Sequence, residues 1–315
     1  MMGVTMVLTR YFLLNTFLLA KGLELSYPTF EFILVVLSTA LMSAGGYIVN
    51  DIFDAEADTI NKPNKLYVGK DISMQNAWTL YWIHTLLGLA IGVFLAYRIE
   101  LLSLAIVPLL IIGLLWFYTT TYKKMPLIGN VVISGFTAFV PLVVGLFEQI
   151  AEQKSYHMAF IDIKFVMGFS VFAFLISMVR EIVKDLEDME GDHETDCRTM
   201  PIAWGVPISK GIALLFVSVL LVALGYLEYD QWVNEDKFSF YYFTLFISLP
   251  ALVLALVIAR AKTKKNFGTA SLLSKVVMLT GICSMVVFWY TLRPYFPKPA
   301  QAQEVVPQAQ VQVGY

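Results

Sequence analysis

Apolar residues arrive in this chain in long runs, separated by short stretches where charge and turn residues collect. A helix needs about 20 apolar residues to cross a bilayer. Set against that length, the runs predict nine spans at roughly 6–23, 29–50, 74–97, 99–120, 127–147, 162–183, 208–228, 239–260 and 270–292. They are too long and too uniformly apolar for barrel strands, which alternate with a period of two. The first is the weakest, because Arg10 and Asn15 interrupt it. The predicted fold class is an all-α polytopic membrane protein. Residues 1–297 form a single transmembrane domain, and the stretch 298–315, rich in Gln, Pro, Ala and Val, forms a disordered tail.

Composition agrees with the pattern. The chain is 58% hydrophobic and 15% charged, with mean hydropathy +0.70, where soluble domains run at about 45–50% apolar and about 25% charged. A net charge of −2 carries no basic footprint for nucleic acid. Cys197 and Cys283 have neither metal-ligand spacing nor the numbers for a disulfide framework. Lysine and arginine are biased toward the cytoplasmic side of membrane proteins. That rule places the N-terminus, Arg10 and the loops holding Lys62, Lys65, Lys123, Lys124 and Arg198 in the cytoplasm. The opposite loops are acidic, with Glu148, Glu152, Glu228, Asp230, Glu235 and Asp236. An odd number of spans then leaves the C-terminus outside.

Two polar stretches carry more than topology. Residues 48–58, Ile-Val-Asn-Asp-Ile-Phe-Asp-Ala-Glu-Ala-Asp, align without a gap with residues 182–192, Ile-Val-Lys-Asp-Leu-Glu-Asp-Met-Glu-Gly-Asp. Asp51, Asp54 and Asp58 match Asp185, Asp188 and Asp192. Residues three or four apart share a helix face, so each cluster, with Asn50 in the first, aims several oxygens one way. Carboxylates beside hydrocarbon are costly and mark function by default. Mg²⁺ takes hard oxygen ligands, usually one or two carboxylates plus substrate phosphates. Two clusters on different helices therefore suit ions held on both sides of a diphosphate, which makes it a better leaving group. The plainer reading is a pair of solvated acidic helix ends; the identical aspartate spacing in both copies favours the site. Basic residues flank the clusters. Lys62 and Lys65 follow the first, and Arg180 and Lys184 precede the second, with Arg198 after it. Lys123 and Lys124 follow Tyr118 and Tyr122 in a third cytoplasmic loop. These suit an anionic substrate, with positive-inside anchoring as the alternative. For Arg180, inside a span, the alternative is a partner in Glu181 or a cluster carboxylate. The Arg260–Lys265 run reads as anchoring only.

With these residues in view, the chain resembles the UbiA-type intramembrane prenyltransferases over about residues 9–292. The resemblance lies in Asn50-Asp51-x-x-Asp54-x-x-x-Asp58, in its continuation Asn61-Lys62-Pro63-Asn64-Lys65, and in Asp185-x-x-Asp188-x-Glu190-Gly191-Asp192. It extends to Tyr118-Thr119-x-x-x-Lys123-Lys124-x-Pro126-x-x-Gly129-Asn130. It implies nine helices in two related four-helix halves plus one, around a central cavity, and Mg²⁺-dependent transfer of a prenyl group from its diphosphate. By the same resemblance Asn50, Asp54, Asp58, Asp188 and Asp192 hold two Mg²⁺ ions, and Tyr118, Lys123 and Arg180 contact the diphosphate. Lys65, Lys124, Thr119 and Leu66 depart from the family's more frequent residues. The Lys-rich first loop is similar to the branch of digeranylgeranylglyceryl phosphate synthases, which make ether lipids.

Three classes of function remain in competition. The first is a prenyltransferase, whose acceptor is either a prenylglyceryl phosphate or an aromatic acid of the 4-hydroxybenzoate or dihydroxynaphthoate type. The surplus of cations among Lys62, Lys65, Lys123, Lys124, Lys184 and Arg198 favours an acceptor with its own phosphate. The second is a cation-binding transporter with internal repeats, whose site would lie near the bilayer midplane and not at helix ends. The third is an inactive scaffold, against which the intact aspartate spacing argues.

Overall fold

A computed structural model of the 315-residue chain describes residues 1–20, 24–61, 66–154, 164–195 and 197–295. Lys62, Lys65 and the tail 298–315 lie outside the described residues. Among the described residues, nine helices are long and apolar enough to cross a membrane: α1 (Met2–Leu19), α2 (Thr29–Asn61), α3 (Met74–Arg98), α4 (Leu102–Lys124), α5 (Ile128–Ile150), α6 (Lys164–Glu194), α7 (Val206–Val233), α8 (Lys237–Arg260) and α9 (Lys264–Leu292). Among the described residues there is no strand, only an isolated bridge between Val68 and Ile72.

Number and order follow the apolar runs, but the ends do not. Helices α2 and α6 run on to Asn61 and Glu194, well past the expected ends at 50 and 183. Hydropathy falls where water begins, while helical hydrogen bonding continues. One-turn pairs within each extension support it: Asn50 Nδ2 donates to Asp54 Oδ2 at 2.7 Å, and Lys184 Nζ lies 3.8 Å from Asp188 Oδ2. At the other kind of boundary, caps decide. Ser73 accepts from the Asn76 N–H to start α3, and Thr263 and Asn266 form a reciprocal capping box that starts α9 at Lys264.

Chain neighbours pack as spatial neighbours, and α9 returns to α1, which closes the bundle. Helices α2 and α6 hold equivalent places four helices apart and touch each other across the interior. The first half is α1–α4, the second α5–α8, and α9 completes the ring. Helix α6 is the most enclosed span. Its Ile176, Met178, Val179, Ile182 and Val183 pack with Val217, Leu220, Ala251, Leu254 and Val277 of α7, α8 and α9. A second core joins Met6, Leu13 and Leu14 of α1 to Phe32, Val35, Val140 and Val144.

The weak first span has a specific explanation, which corrects the placement of Arg10 as a cytoplasmic charge. Arg10 is 1% exposed and lies in a π turn, Thr9–Leu14, within α1. Its Nε is 3.5 Å from Glu148 Oε2 on α5. Its guanidinium also donates to the Tyr27 carbonyl and stacks 4.5 Å from the Phe32 ring centroid. Glu148 in turn accepts from the backbone N–H groups of Ser26 and Tyr27, the latter at 2.8 Å. Burial, with Glu31 as the next cause, pushes the Tyr27 phenol above its ordinary range and keeps it neutral. A charge buried in a span is tolerable only when so paired. Glu148→Gln leaves Arg10 without its counter-charge and should cost about 3–5 kcal/mol, read as a lowered unfolding temperature in detergent. Arg10→Met combined with Glu148→Leu should cost less than the two single changes added together; simple additivity would show the pair to be uncoupled.

Candidate active site

The polar extensions of α2 and α6 cross, and Asn61 sits at the crossing. Its amide nitrogen donates to the Asp188 carbonyl at 2.9 Å, and its amide oxygen accepts from the Gly191 N–H at 3.0 Å. A Cβ on residue 191 would lie 2.4 Å from the Asn61 amide nitrogen and 2.8 Å from the Ala57 carbonyl. Glycine is therefore what lets the two helices come this close. Lys264, at the start of α9, donates to the Asn61 carbonyl at 3.3 Å. The run read as anchoring only thus contributes a residue to the crossing.

Around this fixed point each cluster carries one lysine. Asp54 accepts from Asn50 at 2.7 Å and forms an ion pair with Lys123, which reaches over from the end of α4 and also donates to Asn50 Oδ1 at 3.2 Å. Asp188 is buried and pairs with Lys184 on its own helix. Asp185 accepts from Asn130 Nδ2 of α5 at 2.8 Å. Asp192 accepts from Thr199 Oγ1 at 3.3 Å. Asp58 is half-buried one turn from Asp54, while Asp51 is exposed on the flank of α2. Tyr118 is half-buried on α4, five residues before Lys123.

A cleft of about 110 Å³ opens between the clusters. Phe53, Asp54, Glu56 and Ala57 of α2 form one wall. Thr119, Lys123 and Lys124 of α4 form the second. Asp192, Thr195, Cys197 and Thr199, at and beyond the end of α6, form the third. Among the described residues, three metal-ligating side chains do not converge on one point. The carboxylates are instead engaged with Lys123, Lys184, Asn130 and Thr199. The donor set is nonetheless all hard oxygen, the chemistry that Mg²⁺ takes together with substrate phosphates and not as a complete protein cage.

The remaining cations divide. Arg180 pairs with Glu181, the local partner that lets it sit inside a span. Lys124 is exposed at the cleft, and Arg198 donates its backbone N–H to the Lys124 carbonyl at 3.1 Å, fastening the α6–α7 connection to the α4–α5 turn. Sequence reasoning gave no role to Asn61, Asn130, Thr199 or Glu56. Asn61 did carry a signal, since Asp54, Asp58 and Asn61 follow the i, i+4, i+7 spacing of one face. Asn130 and Thr199 meet their carboxylates only through tertiary structure.

Long apolar helices with a charged cleft at one end define an integral, multi-pass membrane enzyme. The chain belongs to the UbiA prenyltransferase family, whose model matches residues 11–274, and it is a prenyltransferase. Over 257 residues it is 31% identical to the digeranylgeranylglyceryl phosphate synthase of Methanopyrus kandleri, a match covering 81% of this chain and 86% of that protein. Its fold is similar to that of a solved digeranylgeranylglyceryl phosphate synthase, with TM-score 0.58 at 22% identity over 91% of this chain and 93% of the other. It is also similar to a UbiA homologue from Archaeoglobus fulgidus bound to GPP and Mg²⁺, with TM-score 0.50 at 15% identity over 90% and 99%.

If the α2–α6 approach sets the distance between the clusters, Gly191→Ala should slow prenyl transfer on the order of 10²-fold, since an ångström of misplacement costs that much. Gly135→Ala, at an α5 position where a Cβ meets nothing within 4 Å, serves as the control. Equal transfer rates in the two variants would show that the close crossing is not required.

Proposed function

We propose that the chain transfers a prenyl group from its diphosphate to the free hydroxyl of a prenylglyceryl phosphate, completing an ether-linked lipid core. The observation that carries this is one cleft bounded by both aspartate clusters and by two adjacent lysines. The acceptor follows from the relatives: digeranylgeranylglyceryl phosphate synthases from Methanopyrus kandleri and Thermococcus gammatolerans each match 81% of this chain at 31% and 30% identity. These relatives do not favour the aromatic-acid and transporter readings.

In this reading Asn50, Asp54, Asp58, Asp188 and Asp192 supply oxygens toward the donor's diphosphate end, with Asp51 and Asp185 beside them. Mg²⁺, present with GPP in the Archaeoglobus homologue, would supply charge that favours diphosphate departure. Lys123 exchanges its bond to Asp54 for a diphosphate oxygen, and Lys184 keeps Asp188 oriented. Tyr118 and Arg180 stand on the membrane side of these groups, and Lys62 and Lys65 follow the first cluster in sequence. The C1–O bond of the donor breaks and diphosphate leaves with the bonding pair. The acceptor hydroxyl oxygen attacks C1, the ether C–O bond forms, and the hydroxyl proton passes to water at the open mouth.

The reading also sets an orientation: N-terminus and cleft in the cytoplasm, C-terminus outside. Lys123, Lys124, Lys210, Arg260 and Lys262 lie at the cleft end, and Glu228, Asp230, Glu235 and Asp236 at the other. Removing Arg10 from the count leaves that imbalance standing.

Membranes bearing the protein should transfer radiolabel from a prenyl diphosphate to a prenylglyceryl phosphate, and lose this on Mg²⁺ chelation. Neither 4-hydroxybenzoate nor dihydroxynaphthoate should be labelled. Prenylation of either aromatic acid without turnover of the glyceryl phosphate would overturn the acceptor. Asp54→Ala and Asp188→Ala should each abolish transfer while the protein remains folded in the membrane. Near-wild-type turnover of either variant at saturating Mg²⁺ would remove that residue from the site.

A further inference from the structure

A prenylglyceryl phosphate acceptor, the reading just given, sets the cleft a problem of discrimination. In glyceryl phosphate the phosphate is carried on the carbon next to the one bearing the free hydroxyl. When that hydroxyl reaches C1 of the donor, the acceptor phosphate lies only a few bonds from the departing diphosphate. Two anionic groups must sit side by side in one small cleft, each with its own cation, or they exchange places.

The cations around the cleft are not equivalent. Lys123 is bound to Asp54 and Asn50, Lys184 to Asp188, and Arg180 to Glu181. These three serve the carboxylates. Lys124 lines the same cleft, is exposed, and among the described residues has no ion-pair partner. It follows Lys123 in the tight turn Tyr122–Lys124. At about three residues per turn, adjacent side chains there diverge by about 120°, so the two lysine stems leave the turn in different directions. Thr195 and Thr199 line the same cleft as Lys124. The Arg198 N–H holds the Lys124 carbonyl, and the Thr199 hydroxyl donates to the Asp192 carboxylate.

We propose that the two adjacent lysines divide the phosphates between them: Lys123 takes the donor diphosphate, and Lys124 takes the phosphomonoester of the acceptor. A point charge on a flexible stem suits a terminal phosphate, and a charge-assisted bond to it is stronger than a neutral one. Lys124 then selects the acceptor, while Arg198 acts through its backbone by holding Lys124 in place.

The test compares two acceptors, a prenylglyceryl phosphate and the same prenylglycerol without phosphate, on the full-length protein in membranes with a saturating prenyl diphosphate. Wild type should prefer the phosphorylated acceptor. In Lys124→Gln the preference, as a ratio of kcat/KM values, should fall about tenfold, the loss expected for one charge-assisted contact. The KM for the prenyl diphosphate should stay within about twofold, which also shows that the variant is folded. Lys124→Arg should restore most of the preference. An unchanged preference in Lys124→Gln, or a rise in the diphosphate KM in its place, would overturn the assignment and leave the acceptor reading intact. No turnover of the phosphorylated acceptor by wild type would overturn the acceptor reading, and this site with it.

Discussion

The site depends on the two hydrogen bonds from Asn61 to the backbone of α6. Two carboxylate clusters on neighbouring helix ends repel each other, and lipid gives helices no hydrophobic reason to associate. Something specific has to hold them. Asn61 does so by accepting from one peptide group of α6 and donating to another three residues away. Gly191 removes the side chain that would stand between the helices. Because the contact is to backbone, it fixes Asp188 and Asp192 relative to Asp54 and Asp58 whatever their own side chains do. Lys264 ties α9 into the same point, so the closing helix of the ring is registered against the cleft.

The repeat makes the electrostatics legible. Aligning Asp51 with Asp185 places Asn50 opposite Lys184 and Asn61 opposite Thr195. Asn50 and Lys184 both contact the aspartate one turn on, but only Lys184 brings charge. The first cluster receives its positive charge from Lys123 on α4. Each cluster thus ends with one lysine, one from within the repeat and one from outside it. Asn61 and Thr195 diverge further: Thr195 bonds to the Gly191 carbonyl of its own helix at 2.9 Å, while Asn61 crosses to the other half. The halves share a scaffold, and the asymmetry between them is where the crossing and the Lys123 contact were added. The opposite end of the bundle is pinned by another polar contact, Arg10 with Glu148 and Tyr27.

What the sequence disclosed follows from what each signal measures. Run length reports the membrane, so the nine spans and their order were legible, and the overruns of α2 and α6 into water were not. Aspartate spacing reports a helix face, so both clusters were legible at once. Arg10 was misplaced because a cation in an apolar run looks like a boundary; its partner Glu148 is 138 residues away. Arg180 was resolvable locally, since Glu181 is adjacent. The roles of Asn130 and Thr199 were not, because their bonds to Asp185 and Asp192 exist only once α5 and the α6–α7 connection are in place.

The depth of the cleft explains its size. Phe53, next to Asp54, sits edge-on to Trp78 and Trp116, and Trp78 contacts Tyr81 in turn. Trp and Tyr collect at the membrane–water boundary, so this group marks that boundary at the level of the first cluster. Chemistry at that level meets its substrates as they already lie, with charged heads toward water and prenyl tails in the hydrocarbon. The protein need not draw a diphosphate into the bilayer, a transfer that would cost far more than its contacts return. In the proposed reaction, a cleft of about 110 Å³ would have only reacting head groups to accommodate, between backbone held in place at Asn61, Gly191 and Lys124.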